Sequence, residues 1–198
     1  MKKRVVLFII LGTMWLLTSS AWAVTLTLSP ASQTINPGDL ITVDLTVGGL
    51  GNFAPDSLGA FLVEVTFDPS VLTFNSETYG SLLGDTDPFA FETDIITTVG
   101  VGSVSLDEFS FLFDFELDPL QPDSFILATL SFSGNGLGAS VLGFGTVDLS
   151  DAVGSTLTVD TFNTATVTVN PIPEPSTMLL LGTGLAGLMG WRWKKSIS

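Results

Sequence analysis

The chain predicts an all-β fold: an antiparallel β-sandwich of two sheets, preceded by an N-terminal signal peptide and followed by one C-terminal transmembrane helix. Three observations predict it. Between residues 24 and 170, apolar residues recur at period two in short runs, and no stretch sustains the 3.6-residue period of a helix. Gly, Pro, Asn and Asp cluster between those runs, as tight turns require. All six basic residues (Lys2, Lys3, Arg4, Arg192, Lys194 and Lys195) lie in the terminal segments, each group beside an apolar stretch.

Residues 1–23 have the three parts of a secretory signal. Lys2-Lys3-Arg4 is the basic start and Val5 to Leu17 the apolar stretch. Ala21-Trp22-Ala23 meets the small-x-small rule for signal peptidase, which places the mature N-terminus at Val24.

The body, 24–170, opens with Val24 to Leu28, where Thr alternates with apolar residues. Asn36-Pro37-Gly38-Asp39 is a turn, since Pro fixes φ and Gly accepts φ > 0. Ile41, Val43, Leu45 and Val47 then alternate with Thr42, Asp44 and Thr46, a strand with one buried face. Leu58 to Phe67 puts Phe61, Val63, Val65 and Phe67 on one side and stops at Asp68-Pro69, because Pro cannot donate to a ladder. Phe109, Phe111, Phe113 and Phe115 read as a fourth apolar face, a buried aromatic ladder, with Asp114 and Glu116 on its polar side. Phe125 to Phe132, Val141 to Leu149 and Leu157 to Val169 supply further strands, separated by Gly134-Asn135-Gly136 and Gly154-Ser155. Many short strands around one apolar interior argue two packed sheets.

Residues 171–198 close the chain. Pro173-Glu174-Pro175 denies the backbone both helix and ladder, so it forms an extended hinge. The apolar segment 176–193 is about the length needed to cross a bilayer. Arg192, Lys194 and Lys195 behind it hold that end on the cytoplasmic side.

Composition narrows the chemistry. The chain has no Cys and no His, which removes disulfides, thiolate ligands and the commonest general base. Residues 24–175 carry all 20 Asp and Glu and no Lys or Arg. Such a body repels nucleic acid and forms no internal side-chain salt bridge. It has a single Tyr, Tyr79, and no Trp, which leaves it short of platforms for stacking sugars.

Three patches of the body resemble a cohesin-type domain. They are Pro37-Gly38-Asp39 with the strand Ile41 to Val47, Thr66-Phe67-Asp68-Pro69-Ser70-Val71-Leu72, and Ile126 to Phe132. The resemblance implies a jelly-roll related to carbohydrate-binding modules and a non-catalytic binding role, in cohesins the docking of a dockerin. The chain departs from that pattern in its lack of Lys and Arg and in Phe67, where cohesins usually carry Tyr. A second resemblance covers the C-terminus: Ile172-Pro173-Glu174-Pro175-Ser176, an apolar helix and Arg192-Trp193-Lys194-Lys195 resemble the PEP-CTERM sorting signal of Gram-negative bacteria. It implies cleavage near the hinge by an exosortase-type membrane enzyme.

The only polar candidates for a ligand site are carboxylates. Asp85, Asp87 and Asp94, and separately Asp114, Glu116 and Asp118, are candidates for Ca²⁺, which takes six to eight oxygen ligands. Set against this is a solvated acidic face that keeps an exported protein soluble. No catalytic residue is assigned, and no cofactor beyond the Ca²⁺ candidates. These features together predict an exported, non-enzymatic envelope or extracellular-matrix protein. It would pass through an inner-membrane intermediate and act as a structural or adhesive module on exopolysaccharide, or alternatively as a specific protein-docking or carbohydrate-binding module.

Overall fold

The computed structural model describes residues 23–171 and 180–186. Eleven strands occupy the body. They are β1 (Val24–Ser29), β2 (Ser32–Ile35), β3 (Leu40–Gly48), β4 (Leu58–Thr66), β5 (Leu72–Tyr79), β6 (Thr93–Gly100), β7 (Ser103–Ser110), β8 (Ser124–Gly134), β9 (Gly138–Asp151), β10 (Val159–Asn163) and β11 (Ala165–Val169). One helical turn, α1 (Asp114–Leu117), lies between β7 and β8.

The strands form two sheets, ordered β10-β1-β3-β8-β5 and β2-β11-β9-β4-β7-β6. Period-two patterning sends alternate side chains inward. Val43, Leu45 and Val47 of β3 face Phe61, Val63 and Val65 of β4 in one core, together with Leu130 and Phe132 of β8 and Val104 and Leu106 of β7. Phe132 is central there, packed edge-on against both Phe67 and Phe74.

The sheets are mixed rather than antiparallel. β1 runs parallel to β10, and β2 parallel to β11. The first and last strands of the body each break once, at Pro30-Ala31 and at Thr164, and each gives one half to each sheet. Two chain ends that share both sheets in this way lie side by side in the same direction.

Turn chemistry follows the sequence at Asn36–Asp39. Gly38 adopts φ +88°, and the Asp39 amide donates to the Asn36 carbonyl at 3.1 Å. The same Asp39 caps the turn through Oδ2, which accepts from the Asn36 amide at 2.9 Å. Gly49, at φ +78°, lies where a Cβ would sit 2.1 Å from the Ala23 carbonyl oxygen, so only Gly lets the chain start cross there.

The strand directions give the sandwich two poles. One carries the start of β1, the start of β4, the end of β7 and α1. The opposite pole carries the Asn36–Asp39 turn and the end of β11, where the chain leaves for its C-terminus. Among the described residues, no helix is long and apolar enough to cross a membrane. Residues 180–186 are helical. The rest of the 176–193 segment, the Pro173-Glu174-Pro175 hinge, Arg192, Lys194, Lys195 and Ala21 lie outside the described residues.

Candidate functional site

The expected Phe ladder is not core. β7 ends at Ser110, and Phe109, Phe111, Phe113 and Phe115 are 51%, 56%, 65% and 69% exposed. The cause is local hydrogen bonding that outweighs the alternation. The Ser110 hydroxyl turns back to donate to the Leu83 carbonyl and to accept from the Leu112 amide. Three residues on, Glu116 Oε2 accepts from the Phe113 amide at 3.0 Å, while the Phe113 carbonyl accepts from Glu116 and Leu117. That reciprocal cap starts α1. Asp114, Glu116 and Asp118 therefore lie on a helical turn, not along a strand face.

The carboxylates singled out for Ca²⁺ are placed as follows. Asp85 and Asp87 serve their own loop: Asp85 Oδ1 accepts from the Asp87 amide, and Asp87 Oδ1 from the Phe89 amide, both at 2.9 Å. Asp94 sits apart from that loop's turn, on β6. Asp114 and Asp118 line a shallow depression with Asp56 and Asp151, but Asp151 Oδ1 is occupied by the Val153 and Ser155 amides. Among the described residues, no group of three carboxylates is arranged to hold a metal ion.

What the fold does assemble is an acidic sheet face. The outward residues of β9, β4, β7 and β6 line up in register as Asp148, Leu62, Asp107 and Ile96. One row toward the α1 pole stand Ser150, Ala60, Phe109 and Asp94. Glu64, one row the other way, lies across β9, where Oε2 accepts from the Thr146 amide at 3.2 Å. It fits because residue 145 is Gly: a Cβ there would sit 2.3 Å from Oε2. Partial burial pushes the Asp107 carboxyl above its ordinary range, and the negative charge of Asp94 adds to the shift. The face is thus a sheet surface with apolar residues at its centre, uncompensated negative charge around them, and a depression lined by Ala60, Leu62, Asp107, Asp148 and Ser150. Sequence reading did not find it, because it arises from strand order and no single strand displays it.

Two buried polar residues support this face from below. Gln121 is 2% exposed. Its Oε1 accepts from the Leu58 amide at 2.6 Å, and its Nε2 donates to the carbonyls of Leu58 and Leu82. Glu108, between the outward Asp107 and Phe109, points into the core and is 1% exposed. Its Oε1 has no hydrogen-bond partner, and burial pushes its carboxyl up to about 8.

Comparisons with known proteins bear on the fold of the body and on the C-terminal segment. The body is similar in fold to solved cohesin domains. The cohesin CaCohA2 from Clostridium acetobutylicum aligns at 21% identity over 75% of this chain and 91% of its own, with a TM-score of 0.57. The sixth cohesin of Acetivibrio cellulolyticus scaffoldin B, solved in complex with a Cel5 dockerin, aligns at 18% over 75% and 99%, with a TM-score of 0.56. A non-cellulosomal cohesin from Archaeoglobus fulgidus aligns at 14% over 79% and 96%, with a TM-score of 0.55. A family model described as a PEP-CTERM protein-sorting motif matches residues 171–195. No curated protein matches the chain. The chain is therefore a nearly all-β, cohesin-like sandwich with a PEP-CTERM sorting motif, which indicates an exported protein anchored in the membrane before processing.

Proposed function

We propose that this protein is an exported, non-catalytic binding module whose acidic sheet face docks a basic protein partner at the cell envelope. An exosortase-type enzyme would act at Pro173-Glu174-Pro175 after signal peptidase has cut before Val24. The observation that carries the reading is the row Asp148–Leu62–Asp107–Ile96, on a body with no Lys or Arg to neutralise it. Charge of one sign around an apolar centre steers and selects a partner of opposite sign. The cohesin-like fold supports the same reading, because the scaffoldin B cohesin was solved holding a dockerin.

The processed protein, immobilised, is the bait for an envelope extract, alongside its Asp107→Lys/Asp148→Lys variant. Docking predicts a partner that wild type retains at low salt, that elutes as salt rises, and that the variant does not retain. Equal retention of the same material by both proteins, or retention of exopolysaccharide alone, overturns the docking reading in favour of a matrix role.

A further inference from the structure

The pole that carries α1 holds an exposed aromatic cluster that extends beyond the sheet face and shares Phe109 and Asp94 with its edge. Phe109 and Phe111 meet edge to face, with ring centroids 5.4 Å apart. Phe113 and Phe115 stack at 5.5 Å. The 84–92 loop brings two more rings, Phe89 and Phe91, at 86% and 77% exposure. It is clipped to the cluster where the Phe111 amide donates to the Glu92 carbonyl at 2.8 Å. Pro88, Phe91, Asp94, Ile95 and Phe111 together line a shallow groove. Phe91 stands at φ +57°, a backbone conformation that a bulky residue rarely adopts, and the loop holds it there with its ring in solvent.

We propose that this aromatic pole is a second docking site, for a cationic protein segment with apolar residues at its centre and Lys or Arg around them. Exposed apolar groups of this extent, rimmed by charge, mark interaction surfaces, and the rim here is wholly acidic: Asp85, Asp87, Glu92, Asp94, Asp114 and Glu116. A second copy does not complement it, since two such poles bring carboxylates against carboxylates with no basic side chain in either body. Anionic lipid is repelled for the same reason. The chain's own basic end leaves from the opposite pole, beyond β11. A sugar is a poorer fit, because the body has no Trp and its one Tyr, Tyr79, packs on Phe61 rather than in this cluster.

The test uses the processed protein and a labelled amphipathic Leu/Lys helix peptide, with a Leu/Glu peptide of the same pattern as control. The proposal predicts binding of the Leu/Lys peptide only. A Phe111→Ser/Phe113→Ser variant should bind it at least ~10-fold more weakly, and Asp107→Asn/Asp148→Asn should bind it as wild type does. Phe111, Phe113 and Asp148 are exposed and Asp107 is half-buried, and an unchanged melting temperature verifies that both variants fold. Loss in the sheet-face variant alone transfers the binding to the first site. Equal binding by both variants and wild type reduces it to general charge attraction. Concentration-dependent self-association that the Phe variant abolishes would assign the patch to a second copy. Each of these three results overturns the proposal, and only the last two bear on nothing in the sheet-face reading.

Discussion

Glu108 shows how much one side chain can bias the fold. Its register partners are Phe61 on β4 and Ile95 on β6, and no cation exists in the body to pair with it. The folded carboxyl therefore holds its proton up to about pH 8, against an ordinary value of 4.5. Below pH 4.5 both the folded and unfolded chains are protonated, and Glu108 imposes no charge penalty. As pH rises from 4.5 to about 8 the unfolded state releases the proton while the folded state keeps it, so stability falls across that window. Glu108→Gln keeps the shape and removes the titration. The variant should match or fall slightly below wild type at pH 4.5 and exceed it at pH 8, by on the order of 3 kcal/mol. Urea denaturation at both pH values measures this, and a wild-type-minus-variant difference that does not change with pH excludes a buried, proton-holding Glu108.

At the scale of elements, α1 and the turn after it close one end of the sandwich. Leu117 is fully buried beneath that turn, and Gln121 supplies three hydrogen bonds to β4 and to the segment before the 84–92 loop. Gln121→Ala leaves the Leu58 amide and carbonyl without those partners in a buried place. The expected cost is about 2–4 kcal/mol, read as a lower urea midpoint with an unchanged m-value, and a loss under ~0.5 kcal/mol would remove Gln121 from the support of this pole. Strands such as β3 and β4 were legible in the sequence because alternation and burial agree: Val43, Leu45, Val63 and Val65 are all fully buried. The aromatic run from Phe109 shows where that logic stops. Alternation reports a strand only if the backbone stays extended, and the Ser110 back-bond with the Phe113/Glu116 cap bends it instead. Gln121 was illegible for a different reason, since a lone polar residue after a turn carries no period. The acidic face was legible as composition but not as a place, because Asp107 and Asp148 become neighbours of Leu62 only through the order of the sheet.

At the scale of the whole molecule, the poles and the charge distribution make the same statement about handling. Val24 is already buried as the first residue of β1, so the folded body starts where signal peptidase is expected to cut. The other end leaves the sandwich after Val169, at the pole away from the aromatic cluster. A chain held by its C-terminal segment is thus held from the pole opposite the aromatic cluster. All six basic residues lie outside 24–175, and we propose that they serve delivery, since positive charge on the cytoplasmic side orients an apolar segment. Once both ends are cut, the body would keep every carboxylate and no basic side chain, and self-repulsion would then favour solubility and a cationic partner over self-association. Intact mass of the extracellular form tests the whole scheme in one measurement. The predicted species begins at Val24, ends near Pro175, and lacks residues 176–198. A mature extracellular protein that retains Arg192, Lys194 and Lys195 would refute processing at the hinge, and would leave the aromatic pole and the acidic face on a chain that still carries its own counter-charge.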